Sequence, residues 1–173
     1  PDPAGAPGQA RRAGAEGYSM TISPIETRYA GCRFRSRTEA RFAVLLDRLS
    51  LTWEYEGQGF QLPSGRRYLP DFKLPDLKIF LEIKGAEPTQ RELGKVREFA
   101  VAAHEYGYVT LMLVGGVPRP EPDTVCIPAR AFLVRKGDAI DVTTDWMPAP
   151  HASQLRAALT AARSARFEFG ESG

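Results

Sequence analysis

From Tyr108 to Val114 the chain reads Tyr-Val-Thr-Leu-Met-Leu-Val, an almost unbroken apolar string of strand length. A strand reads this way when both of its faces are buried, as happens in a sheet covered on both sides by helices. The preceding sequence supplies candidates for that cover. Ser36 is an N-cap with Glu39 three positions on, and Phe42, Leu45, Leu46 and Leu49 follow at helical spacing, which predicts an amphipathic helix from Ser36 to about Leu49. Thr89 with Glu92 repeats the capping pattern, and Leu93, Val96, Phe99, Ala100 and Ala103 continue on one face to about Tyr106. Between the two helices lie short segments rich in aromatic and branched residues: Thr52–Glu56, Gly59–Leu62, Arg67–Leu74 and Lys78–Ile83. Ser64-Gly65 and Pro75-Asp76 punctuate them, which predicts hairpin turns in an antiparallel meander. The order α-β-β-β-α-β predicts an α/β fold with a central mixed β-sheet flanked by helices.

At 173 residues and 43% hydrophobic, the chain can enclose one real core. Residues 1–23, rich in Pro, Gly, Ala and Ser, have little large apolar surface to offset the entropy of ordering, so a flexible tail is expected there. Residues 24–115 make the core, and the Pro-rich stretch Gly115–Pro122 separates it from a C-terminal extension over 116–173. In that extension Ala131–Arg135 and Ala139–Val142 flank Lys136-Gly137-Asp138 and predict a hairpin, and the Ala-rich stretch from His151 to about Arg166 predicts a helix. The extension is expected to lie on or beside the core.

Two distant cysteines, Cys32 and Cys126, and two histidines make no CxxC or HxxxH cluster, so no zinc ribbon is expected and free thiols are. No run approaches the roughly eighteen apolar residues of a membrane helix, and the chain as given opens without a basic-then-apolar leader, so the expectation is a cytoplasmic protein with no membrane partner. The net charge of +2 does not by itself demand a nucleic-acid partner. Its distribution says more: Arg33, Arg35, Arg37 and Arg41 stand against Glu39 alone, an excess that suits a phosphate backbone as well as a solvated helix start.

The chemistry concentrates in Tyr68-Leu69-Pro70-Asp71-Phe72 and Leu81-Glu82-Ile83-Lys84-Gly85. Strand side chains alternate faces, so Glu82 and Lys84 point one way and Leu81 and Ile83 the other. The turn near Pro75-Asp76 folds the earlier strand back and brings Asp71 within reach of Glu82. Two carboxylates and an ammonium then converge. Two hard oxygen ligands suit Mg²⁺, which keeps most of its sites for water and phosphate, and Lys84 is placed to orient a water or offset phosphoryl charge. Glu39 offers a third carboxylate, or serves only as the capping partner of Ser36. Glu82 and Lys84 alone would equally suit the wet face of an edge strand. Trp53 and Tyr55 read as core packing before base stacking.

Glu39 on a helix, Pro70-Asp71 on one strand and Glu82-Ile83-Lys84 on the next, followed by a helix and an apolar strand, resembles the PD-(D/E)XK nuclease superfamily. The resemblance runs from Arg33 to Val114, about half the chain. Ser36-Arg37-Thr38-Glu39-Ala40 and Trp53-Glu54-Tyr55-Glu56 look like small endonucleases of the transposon end-cleaving and phage resolvase type. The resemblance implies a restriction-endonuclease-like core. It implies Asp71 and Glu82 as ligands of Mg²⁺ or Mn²⁺, the Ile83 carbonyl completing the site, Lys84 placing the water and Glu39 as accessory carboxylate. The implied reaction is hydrolysis of DNA phosphodiesters leaving a 5′-phosphate; the Pro-, Ala-, Arg- and Gly-rich composition separately suits a high-GC bacterium or its phage. DNA contacts are expected from Arg33, Arg35, Arg37, Arg41, Arg66 and Arg67. Gln90 and Lys95 fall where relatives often face the phosphate, but read more simply as a first-turn residue and a solvated lysine.

A protein partner that supplies target choice fits this reading, and a homodimer stays open. The alternatives are an exonuclease or RNase on the same scaffold and a non-catalytic DNA-binding or assembly module. Against the RecB-like exonuclease branch stands the absence of a histidine before Asp71. A secreted nuclease effector, with the first residues as a delivery linker, is a further expectation.

Overall fold

The computed structural model describes residues 25–167, so the tail expected over 1–23 lies outside the described residues. The described chain opens with a hairpin that the sequence did not announce, β1 (Thr27–Tyr29) and β2 (Cys32–Phe34), turning through Ala30 and Gly31, both at positive φ. The first helix, α1 (Arg37–Arg48), starts at Ser36 as expected: the Ser36 hydroxyl accepts from the Glu39 N–H and donates to Glu39 Oε1 at 2.7 Å. Its buried face holds Phe42, Leu45 and Leu46 of the expected stripe together with Ala40, Ala43 and Val44, and Leu49, the fourth residue of that stripe, is buried at the C-cap.

The expected meander is corrected. After α1 come β3 (Glu54–Tyr55), β4 (Phe60–Gln61), β5 (Arg67–Tyr68), β6 (Phe72–Leu74) and β7 (Ile79–Lys84). β3 pairs with β6, Glu54 opposite Lys73, while β4 and β5 pair only with each other. The strand predicted over Arg67–Leu74 therefore breaks at Leu69-Pro70-Asp71. Pro70 has no N–H for a ladder and a fixed φ, which ends β5 before β6 begins. The freed β4–β5 hairpin folds over the sheet, where Phe60 and Tyr68 pack on Phe99 and Phe60 also meets Phe80.

α2 (Gln90–Glu105) has the full capping box of Thr89 and Glu92. It carries the chain over to β8 (Val109–Val114), which runs parallel to β7. β9 (Ile127–Arg135) and β10 (Asp138–Trp146) form the predicted hairpin with longer arms than expected, turned by Lys136 and Gly137 at positive φ. α3 (Ala152–Ser164) closes the described chain. The central sheet has the order β10-β9-β8-β7-β6-β3, and β7–β8 is its parallel pair among the described residues. This is the mixed α/β sheet with three helices that the element order implied.

Each face of the sheet has its own core. Leu81, Ile83, Leu111 and Leu113 join α1 and α3 on one side, and Phe80, Met112 and Phe132 join α2 on the other. β8 is covered on both faces over Leu111–Leu113, as its apolar string requires. The partner of α3, illegible in the sequence, is α1; Leu155, Ala158, Leu159 and Ala162 are its buried face. Trp53 and Tyr55 pack on Phe34 and Phe72, in keeping with the core reading. Cys32 and Cys126 are free thiols. Among the described residues no helix is long and apolar enough to cross a membrane.

Candidate active site

The antiparallel register of β6 and β7 sets Phe72 opposite Leu81. One step further along the same register, Asp71 stands opposite Glu82. Leu81 and Ile83 enter the α1 side of the core, so Glu82 and Lys84 face the α2 side, as the two-residue alternation demands. Asp71 is 4% and Glu82 6% exposed, a depth at which carboxylates are found almost only with partners.

Each carboxylate is held. The Ile83 N–H donates to Asp71 Oδ2 at 2.7 Å, and the Tyr68 hydroxyl donates to Glu82 Oε2 at 2.7 Å. The half-buried Lys84 Nζ lies 2.9 Å from Glu82 Oε1 and 3.7 Å from Glu92 Oε1. Arg35 Nη2 lies 3.2 Å from Asp71 Oδ1 and 2.5 Å from Glu56 Oε1. Apart from Glu56, these groups line a cleft of about 540 Å³ that also takes in Glu39, Ile83, Arg67 and Lys95.

Burial and then the charge of Glu82 push the Asp71 carboxyl up to about 8, and the Ile83 N–H offsets only part of this. Burial alone would lower the Lys84 ammonium, but Glu82 beside it more than compensates and the net direction is upward, so Lys84 stays charged. The Tyr68 hydroxyl is raised by its own burial and by Glu82, so it remains a donor. Two buried carboxylates side by side thus form an acidic pocket whose repulsion a cation would relieve.

The five residues proposed from the sequence for metal and catalysis, Glu39, Asp71, Glu82, Ile83 and Lys84, all line this one cleft. Glu39 is the most committed of them. Its Oε1 accepts from Ser36, and its Oε2 accepts from the Tyr55 hydroxyl at 2.5 Å and the Arg35 N–H at 3.3 Å. It ties the start of α1 to β3. Among the described residues no group of three or more His, Cys, Asp or Glu side chains forms a ready metal cage. The donors toward the cleft are therefore Asp71 and Glu82. Hard, anionic and buried, they fit a small divalent cation completed by water and backbone oxygen.

The arginines divide. Arg35 and Arg67 line the cleft and Arg37 is exposed on the first turn of α1. Arg33 pairs with Glu26 on the surface, and Arg41 is half-buried with its Nε lacking a partner among the described residues. Arg66 turns to Glu98 at 2.6 Å, and Glu98 also accepts from Ser64, which pins the β4–β5 turn to α2. Lys95, read from the sequence as a solvated lysine, instead lines the cleft one helical turn beyond Arg91, while Gln90 is exposed at the helix start. Tyr68, Glu56 and Glu92 were not singled out as site residues. Tyr68 had one signal: it opens the Tyr68-Leu69-Pro70-Asp71-Phe72 stretch in which the chemistry concentrates. The sequence marks Glu92 only as the capping partner of Thr89 and Glu56 only as part of the Trp53–Glu56 phrase; the fold brings Glu92 to the cleft and Glu56 to Arg35. No protein-family model matches the chain, and no curated protein is significantly similar to it.

Proposed function

We propose that this chain is a metal-dependent DNA endonuclease built on a restriction-endonuclease-like core. The observation that carries the proposal is the pair of buried carboxylates, Asp71 and Glu82, facing one open cleft with Lys84 Nζ 2.9 Å from Glu82 Oε1. A structural ion pair has no need of a second buried carboxylate, which costs stability wherever it stays charged.

In this reading Asp71 and Glu82, with the Ile83 carbonyl, hold Mg²⁺ or Mn²⁺, and Glu39 is an accessory that keeps α1 and β3 in place. A cation held there polarises the scissile phosphate and makes a water acidic enough to attack near neutral pH. The remaining work falls to side chains. Lys84, kept protonated by Glu82, donates to the attacking water or to a phosphoryl oxygen as charge develops there. Tyr68 fixes the orientation of Glu82 through a buried hydrogen bond. Arg35, Arg67 and Lys95 offer the cleft's cationic contacts to the phosphate backbone. Attack by water on the phosphorus leaves a 5′-phosphate and a 3′-hydroxyl.

One cleft cuts one strand per encounter, so double-strand cleavage in this proposal uses a second copy, and target choice comes from a partner protein. Supercoiled plasmid incubated with Mg²⁺, Mn²⁺, Ca²⁺ or EDTA tests the reading. Nicking in Mg²⁺ or Mn²⁺ that is lost in Asp71→Ala and Lys84→Ala is expected. Tight binding of DNA that is indifferent to metal, with no cleavage of duplex, branched or single-stranded substrates, would favour a DNA-binding scaffold instead.

A further inference from the structure

Asp71 has one oxygen committed to the backbone and one facing a guanidinium. Oδ2 accepts from the Ile83 N–H at 2.7 Å, and Oδ1 faces Arg35 Nη2 at 3.2 Å. The place beside Asp71 that a divalent cation would take is thus filled by a cation belonging to the protein.

Arg35 is held there by charge more than by packing, because its side chain is 59% exposed. Its second partner is Glu56 Oε1, at 2.5 Å on the same Nη2. Glu56 is well placed to keep that contact. Its N–H donates to the Asp71 carbonyl at 2.9 Å, and its backbone sits at φ 44, in the left-handed region where a glutamate rarely rests. The backbone therefore fixes the main chains of the two residues whose carboxylates flank the guanidinium, while the guanidinium itself reaches in from solvent on a flexible stem.

We infer that Arg35, which lines the cleft, is a displaceable counter-ion of Asp71, one that a divalent cation expels and Glu56 then retains for a substrate phosphate. The inference rests on the metal-dependent reading above and adds to it a coupling between metal loading and phosphate capture. While Arg35 covers Asp71 Oδ1, it opposes the cation and has one fewer N–H for phosphate. Once released from Asp71 and steadied by Glu56, its planar fork is free to meet phosphate oxygens two at a time. Linkage requires the reverse as well, so a phosphate that engages Arg35 tightens the cation.

The test is Mn²⁺ binding to the metal-free protein, followed by the electron paramagnetic resonance of free Mn²⁺, for wild type, Arg35→Gln, Arg35→Lys and Lys73→Gln. Lys73 is two residues from Asp71, pairs with Glu54 at 3.3 Å and controls for the loss of one nearby positive charge. Arg35→Gln is expected to bind Mn²⁺ about tenfold tighter than wild type, in the usual range of coupling between sites. Lys73→Gln and Arg35→Lys should stay within about threefold of wild type, since only contact with Asp71 carries the full effect. In a second arm, Ca²⁺ is expected to tighten binding of a short duplex by wild type and to do so less for Arg35→Gln.

A merely structural role for Arg35 predicts weaker Mn²⁺ binding in Arg35→Gln, which would overturn the inference, as would equal tightening in Lys73→Gln. If wild type binds Mn²⁺ and Arg35→Gln binds it no better, the inference fails and the nuclease reading stands. If neither binds Mn²⁺ at millimolar concentration, the metal-dependent reading fails and takes this inference with it.

Discussion

Replacing Asp71 by asparagine is expected to stabilise the metal-free protein while abolishing cleavage. Burial, then Glu82 across the ladder, carries the Asp71 carboxyl from the ordinary value of 3.8 to about 8 in the folded chain. A raised folded value means that the native state holds its proton more tightly than the unfolded state does. The associated stability is fully present below about pH 4, drains away as the unfolded carboxyl ionises, and is gone once the pH passes the folded value near 8. At about 1.4 kcal/mol per pH unit across that window, the upper bound on the loss is roughly 5–6 kcal/mol. Arg35 beside the carboxylate, together with relaxation and water entry around it, reduces the cost, so about 2–3 kcal/mol is expected at pH 8. The substituted amide keeps a carbonyl oxygen for the Ile83 N–H and carries no charge against Glu82. In EDTA, Asp71→Asn should therefore melt about 5–8 °C above wild type at pH 8, with the gap closing toward about pH 4–5. Thermal unfolding followed by circular dichroism across that range reads it directly. A variant less stable than wild type at pH 8, or a gap that does not change with pH, would refute the reasoning.

Mn²⁺ should raise the melting temperature of wild type and leave Asp71→Asn nearly unmoved, because a ligand stabilises only the fold that binds it; calorimetric melts with and without the ion check this. Lys84→Ala should cut the cleavage rate by about 10²–10⁴ while a gel-shift assay finds duplex binding retained. Tyr68→Phe removes the buried donor to Glu82 and should cost about 1–2 kcal/mol in denaturant titration, together with slower cleavage. Arg67→Ala should lower the salt dependence of DNA binding by about one phosphate contact, whereas Arg66→Ala, whose guanidinium is spent on Glu98, should leave that slope unchanged.

The parts of the fold that a sequence can show are those written in local periodicity. α1 and α2 announced themselves through Ser36-Glu39 and Thr89-Glu92, and β8 through its apolar string, because capping and burial act on neighbouring residues. The convergence of Asp71, Glu82 and Lys84 was legible for the same reason: alternation along β7 and one tight turn are enough to place them. What was not legible depends on long-range pairing. The union of β3 with β6 across the inserted β4–β5 hairpin has no local signature, and Pro70, read as part of a strand, lies in the break between β5 and β6. The fate of individual charges was equally hidden. Arg66 and Arg67 are adjacent, yet one is spent on α2 and the other faces the cleft. Glu56 meets Arg35 only after the sheet has assembled.

The most direct measurement of the central claim is single-turnover cleavage of a 5′-labelled duplex by wild type, Glu82→Gln and Lys84→Ala in Mg²⁺, with the product ends identified. Glu82→Gln keeps the size of the side chain and an acceptor for Tyr68 while removing one of the two buried charges. Wild-type cleavage giving 5′-phosphate ends, absent in EDTA and in both variants, is the expected result. Cleavage that persists in Glu82→Gln and Lys84→Ala, or that proceeds in EDTA, would contradict the assignment of the reaction to this cleft.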